Sequence, residues 1–403
     1  MSVPSGAELV ESPAADAAGL WEELVDEAYA VSFLPELPPP ADDDGEGSIA
    51  DRLLSGPVKL AERAIESAAN VYDLTIGGAG ATPMAKPFRV IDEGPQRKLV
   101  RYEPRGLKTR GSILLVPPLA APVSCFDLRP GLSLVDYLTR LDYTTYVVDY
   151  GPIGFADRDL GLEHWIDEVI PTATKRAAED AGEEVHTAGW CLGGIMASLT
   201  AAAHPELPTR SLTMVASPFD FDHVGLLDPI RKIGEYTGGA ILSSLFRLLG
   251  GVPAPLVSAG FRLTAIDRSI RKPAFVARNL ANREALVHMR AVDRYMSHML
   301  AYPGRSIGQM YRAFFFDGQL KKGVVEIGGR EIDLREVRMP VLAIGGRGDV
   351  LAPIPAVHHV GDLLSGASEV RLESAPGGHL GVLTGMSSPN NTWQMLRDFA
   401  AGH

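Results

Sequence analysis

Six residues, Gly189-Trp190-Cys191-Leu192-Gly193-Gly194, constrain this chain more than any others. They stand between Glu184–Ala188, which reads as a strand, and Gly194–Ala203, which reads as a helix. A Gly-x-nucleophile-x-Gly sequence in that setting turns a strand sharply into a helix and lifts the central side chain above the sheet. Glycines flank the turn because side chains there would collide. Cys191 then lies at a helix N-terminus, whose partial positive charge favours thiolate. The plainer alternative is a buried cysteine in a Gly-rich turn.

The surrounding texture agrees with a strand–turn–helix unit. Lys98–Tyr102 alternates as a strand does, and Ser112–Val116 is a continuous apolar run closed by Pro117-Pro118. Thr144–Tyr150 and Leu212–Ala216 add two strands, with helices expected over Leu132–Leu141 and Leu160–Glu179. Strands alternating with helices predict an α/β fold with a mostly parallel sheet and helices on both faces. The alternation stops between Phe219 and Gln319, where helix signals and Gly/Pro turns dominate. Strand texture resumes at Val324–Ile327, Val341–Gly345 and Val370–Glu373, and Thr392–Ala401 closes the chain as a helix. The expected division is a flexible arm over 1–47, a core of 48–218 and 320–403 that begins with a helix near 48–71, and a largely helical cap insertion over 219–319. An insertion of that size between sheet strands typically covers the active-site end.

An elbow nucleophile requires an acid and a histidine, in that chain order. Asp349 follows the strand Val341–Gly345 in a Gly-Arg-Gly-Asp turn, and His379 follows the strand Val370–Glu373 in a Pro-Gly-Gly-His loop. An Asp in a turn is, by itself, usually a solvated turn former. The ordered pair, each after a strand, predicts a Cys191–His379–Asp349 triad. An oxyanion hole should take one donor from the Leu192 backbone N–H and another from the loop after Val116. Pro117 and Pro118 have no N–H, which leaves Leu119 or Ala120. The remaining histidines form no metal-ligand spacing, so no metal is expected.

A thiol at this position favours thioester chemistry. Transfer of an acyl group from coenzyme A to Cys191 exchanges one thioester for another, nearly balanced in energy. His379 can then deprotonate an incoming hydroxyl or a water. Composition narrows the rest. Lys+Arg 38 against Asp+Glu 50 gives a net charge of −12 without a basic tract, a poor nucleic-acid binder. Only 2 cysteines rule out a disulfide scaffold. No apolar stretch reaches the ~18 residues of a transmembrane helix. The first fifteen residues lack the basic region of a secretory signal, so a cytoplasmic protein is expected.

Several segments resemble the polyhydroxyalkanoate synthases, chiefly the short class III catalytic subunits. The elbow is similar to that family's lipase-like box with Cys in place of Ser. Ser133-Leu134-Val135, Val148-Asp149-Tyr150-Gly151-Pro152 and Leu212–Phe221 resemble the segments around that box. Thr82-Pro83 with Leu99–Tyr102 resembles its entry strand. Val325–Arg330, Met339–Leu342 with Gly348-Asp349, and Gly378-His379-Leu380-Gly381 resemble its acid and histidine segments. The resemblance runs from about Thr82 onward. It implies an α/β-hydrolase core, a cap that often forms the dimer contact, and no bound cofactor. It also implies that Cys191 carries the growing chain, that His379 is the base for the thiol, and that Asp349 assists the hydroxyl of the incoming unit. The implied reaction polymerises a 3-hydroxyacyl-coenzyme A with release of coenzyme A. The implied partners are a second synthase subunit or the surface of a polyester granule.

Three readings follow. The leading one is a coenzyme A-dependent acyltransferase of polyester-synthase type. The second is a thioesterase, ester hydrolase or polyester depolymerase using the same triad. The third is an inert granule or scaffold protein, against which the intact set of three residues argues. Positive charge for coenzyme A phosphates is available at Arg231-Lys232, Arg268, Arg271-Lys272 and Lys321-Lys322, although each alone reads better as a solvated surface charge.

Overall fold

The computed structural model describes residues 86–106, 109–225, 251–263 and 275–403. The expected arm, the helix near 48–71 and the basic residues Arg231, Lys232, Arg268, Arg271 and Lys272 lie outside the described residues.

Eight strands form the main sheet: β1 (Arg89–Gly94), β2 (Arg97–Tyr102), β3 (Gly111–Val116), β4 (Tyr143–Asp149), β5 (Val185–Trp190), β6 (Thr209–Val215), β7 (Val341–Gly346) and β8 (Val370–Ala375). Their spatial order is β1-β2-β4-β3-β5-β6-β7-β8. β1 with β2 and β2 with β4 are antiparallel, and every other neighbouring pair is parallel. This is the α/β-hydrolase fold. All six residues of β3, of β5 and of β7 are buried. Successive strand residues point to opposite faces, so burial of all of them means that both faces are covered.

Four helices matter below: α1 (Leu134–Arg140), α2 (Ile170–Ala181), α3 (Leu192–Ala203) and α4 (Arg283–Ser297). Ser133 caps α1, its hydroxyl accepting from Asp136 N–H at 3.0 Å. Asn282 caps α4 by accepting from Ala285 N–H at 3.1 Å. α3 is the elbow helix, and eleven of its residues, from Leu192 to Ala202, are buried. Its sequence is apolar on every side, as a helix enclosed by sheet and neighbours requires.

Two expectations need correction. β1 is absent from the strands expected above, because RVIDEG lacks both an apolar run and clean alternation. It is an edge strand, largely exposed, with a register shift between Val90 and Asp92. Val324–Ile327 is a strand, but it does not belong to the main sheet. It pairs antiparallel with Arg330–Asp333 in a separate hairpin, so β6 and β7 are consecutive sheet strands.

The chain between β6 and β7 carries α4, a helix at Ala254–Leu263, a short pairing of Gly251–Val252 with Tyr302–Pro303, and a helical stretch from Gly304 to Phe316. Just beyond α4, Leu300 N–H donates to Ala120 O at 2.7 Å. That bond ties this segment to the loop following β3.

Candidate active site

Parallel strands bring their carboxyl ends to one edge, and ligands in such sheets bind there. Trp190 pairs with Val215, Ile344 with Val215, and Gly346 with Ala375, so β5, β6, β7 and β8 end close together. Cys191, Asp349 and His379 each follow one of these ends.

Cys191 has φ 53° and ψ −125°, in the sparsely populated region that an elbow imposes on its central residue. Its N–H donates to Val215 O at 2.8 Å, and its carbonyl accepts from Gly194 N–H at 3.0 Å. The glycines are steric necessities. A Cβ on Gly189 would lie 2.5 Å from Gly194 Cα, and one on Gly193 would lie 2.3 Å from Val116 O. The thiol remains partly exposed.

His379 and Asp349 stand on loops stitched to each other. Gly348 N–H donates to Gly377 O at 3.0 Å, and Arg347 N–H to Ala375 O at 2.9 Å. Asp349 Oδ1 accepts from Leu351 N–H at 2.9 Å and Ala352 N–H at 2.8 Å. Asp349 Oδ2 lies 2.8 Å from His379 Nδ1. With Nδ1–H given to the carboxylate, Nε2 is the ring nitrogen left for the Cys191 sulfur, with which the ring also hydrogen bonds. The Asp349 side chain is 0% exposed and that of His379 5%. Burial, the largest effect, opposes charge on the His379 ring. The Asp349 carboxylate, the Cys191 sulfur and the hydrogen bonds to both outweigh it, and the imidazole is held well above its ordinary pKa.

The oxyanion donors expected from sequence lie on two segments in close contact. Leu192 opens α3, where first-turn N–H groups have no intrahelical partner. The tight approach of Gly193 to Val116 and Pro117 sets this turn beside the loop carrying Leu119 and Ala120. Ala120 is buried with φ 56°, and its carbonyl is fixed by Leu300.

Sequence reasoning gave Trp190 no role. Its indole N–H donates to the His379 carbonyl at 3.2 Å, and the two rings are 5.4 Å apart between centroids. Trp190, which precedes Cys191, therefore braces the His379 loop. The Trp190 ring also lies 6.4 Å from that of Tyr295 on α4. The motif left this position unspecified, so no local signal marked it.

Other candidates stand elsewhere. Lys321 Nζ is bound to Asp222 at 2.7 Å and Asp220 at 3.0 Å, so its charge is already paired. Lys322 Nζ donates to Asp317 O at 2.9 Å. Cys125 is buried, and burial pushes its thiol pKa well up, which makes it an inert thiol beside Cys191. His186 packs with Nδ1 2.8 Å from Ser211 Oγ. Among the described residues, no group of three His, Cys, Asp or Glu side chains could hold a metal, and no helix is long and apolar enough to cross a membrane.

No protein-family model matches the chain. Curated relatives do. The poly(3-hydroxyalkanoate) polymerase subunit PhaC of Haloferax mediterranei is 24% identical over 354 residues, which cover 85% of this chain and 70% of that protein. The subunit of the same name from Synechocystis sp. is 26% identical over 275 residues, 67% of this chain and 72% of that protein. Among solved structures, mouse alpha/beta hydrolase domain-containing protein 10 aligns with a TM-score of 0.46 and 14% identity, covering 78% of this chain and 99% of that one.

Proposed function

We propose that this chain, a homologue of the poly(3-hydroxyalkanoate) polymerases, is an acyltransferase that polymerises 3-hydroxyacyl groups from coenzyme A thioesters through an acyl-Cys191 intermediate. The observation that carries this reading is a thiol, rather than a hydroxyl, at the elbow, in contact with a buried imidazole that Asp349 keeps charged.

Cys191 sulfur attacks the thioester carbon. The developing oxyanion is met by Leu192 N–H and by an N–H of Leu119 or Ala120. The bond from carbon to the coenzyme A sulfur breaks, and the leaving thiolate takes the proton from His379 Nε2. Neutral Nε2 then accepts the proton of an incoming 3-hydroxyl, whose oxygen attacks the acyl-Cys191 carbon; the carbon–sulfur bond to Cys191 breaks, which forms the ester and returns the Cys191 thiolate beside protonated His379. Asp349 acts through His379 in this scheme. Its carboxylate is enclosed and accepts three N–H groups. The described parts of 219–319 are read as a cap over this edge of the sheet.

Incubation of the purified protein with 3-hydroxybutyryl-coenzyme A tests the reading. Expected are thiol release and polyester, both absent in Cys191→Ala. Release of free 3-hydroxybutyrate alone would make the chain a thioesterase. Full turnover in Cys191→Ala would remove the intermediate.

A further inference from the structure

Tyr295 presents an unexplained polar atom beside the candidate active site. It lies on α4, is 3% exposed, and its hydroxyl has no hydrogen-bond partner. Of the other buried phenols, Tyr146 donates to Asp180 at 2.7 Å and Tyr150 to Pro117 O at 3.1 Å, while the Tyr311 hydroxyl also has no hydrogen-bond partner. Enclosing a hydroxyl without a partner is unfavourable, and a group kept in that condition calls for an explanation.

Position supplies one. The Tyr295 ring rests against Trp190, the residue preceding the nucleophile. Three residues after α4, Leu300 N–H is anchored to Ala120 O in the loop expected to supply an oxyanion donor. The phenol is therefore fixed relative to both walls of the site. Burial above all, and then the sulfurs of Cys125 and Cys191, hold its pKa well above the usual phenol range. It stays an O–H donor throughout the working pH range.

We propose that the Tyr295 hydroxyl donates a hydrogen bond to the 3-hydroxyl oxygen of the acyl group bound at Cys191, and so selects 3-hydroxyacyl over unsubstituted acyl thioesters. This rests on the acyltransferase reading above. A site that hydrogen bonds a substrate hydroxyl discriminates strongly against the analogue lacking it, because the protein donor is then left unpaired. The acceptor is the hydroxyl oxygen, so donation from Tyr295 leaves the substrate's own hydroxyl proton in place.

The test compares single-turnover acylation of Cys191 by 3-hydroxybutyryl-coenzyme A and by butyryl-coenzyme A, followed by intact-protein mass spectrometry. Wild type and Tyr295→Phe are run together, with the thermal midpoint of each. Expected is a fall of about tenfold in the ratio of the two acylation rates in Tyr295→Phe, with no drop in the midpoint, since the lost hydroxyl makes no hydrogen bond. An unchanged ratio overturns the proposal. So does an equal slowing with both thioesters, which would assign the phenol to the carbonyl common to both. Failure of 3-hydroxybutyryl-coenzyme A to acylate wild-type Cys191 would instead sink the acyltransferase reading, and this proposal with it.

Discussion

Replacing Asp349 by Asn tests whether the carboxylate sets both the orientation and the charge of His379. The substitution keeps shape but changes donors. Oδ1 accepts two backbone N–H groups, at 2.9 Å from Leu351 and 2.8 Å from Ala352. The carbonyl of the new amide would take that side, because only it can accept. The amide NH2 group then faces His379 Nδ1, 2.8 Å from the carboxylate in the native protein, and the ring must present a lone pair there. The remaining proton moves to Nε2, which can no longer accept a proton while neutral. Both native side chains are almost fully enclosed, 0% and 5% exposed, so solvent screening gives little relief. Breaking a buried hydrogen-bonded pair costs ~3–5 kcal/mol, which corresponds to about 10²–10⁴-fold in rate. The expectation is a loss of that size in acylation of Cys191 by a coenzyme A thioester. The titration should move as well. In wild type the His379 pKa is raised, so its contribution to folding is fully present below the unfolded imidazole value, about 6.5. That contribution fades as pH rises through the raised folded value. Without the carboxylate, burial dominates and the ring loses its proton at lower pH. The assays are acylation rate, His379 titration by NMR with His379→Gln for assignment, and denaturant unfolding against pH. Acylation within about tenfold of wild type, with the His379 titration unmoved, would refute the argument.

Two further outcomes follow from the same geometry. Trp190→Phe removes the donor to the His379 carbonyl, bound at 3.2 Å; it should cost about 1–2 kcal/mol in denaturant unfolding and lower kcat with little change in KM, whereas a rise in KM alone would contradict a brace on the histidine loop. Iodoacetamide at neutral pH should label Cys191 and spare Cys125, which is 1% exposed with its thiol pKa raised by burial; peptide mapping that finds Cys125 modified in the folded protein would contradict that burial.

What could be read in the sequence was local. The elbow glycines, the apolar runs of β3 and β7, and an Asp and a His each just past a strand are patterns of near neighbours, governed by sterics and by side-chain alternation. They were enough for the fold class and for the three candidate site residues in their order. β1 was illegible because an exposed edge strand needs no apolar pattern. Val324–Ile327 was legible as a strand but not as a hairpin outside the sheet, since pairing partners are set by long-range packing. Lys321 read as a free charge until folding brought Asp220 and Asp222 to it. Trp190 and Tyr295 carry no local signature at all. Their roles exist only because the sheet edge, the His379 loop and α4 meet across long stretches of chain. The sequence determined which chemical groups are available. The tertiary structure decided which of them touch, because hydrogen-bond geometry and desolvation arise only once distant segments share one interior.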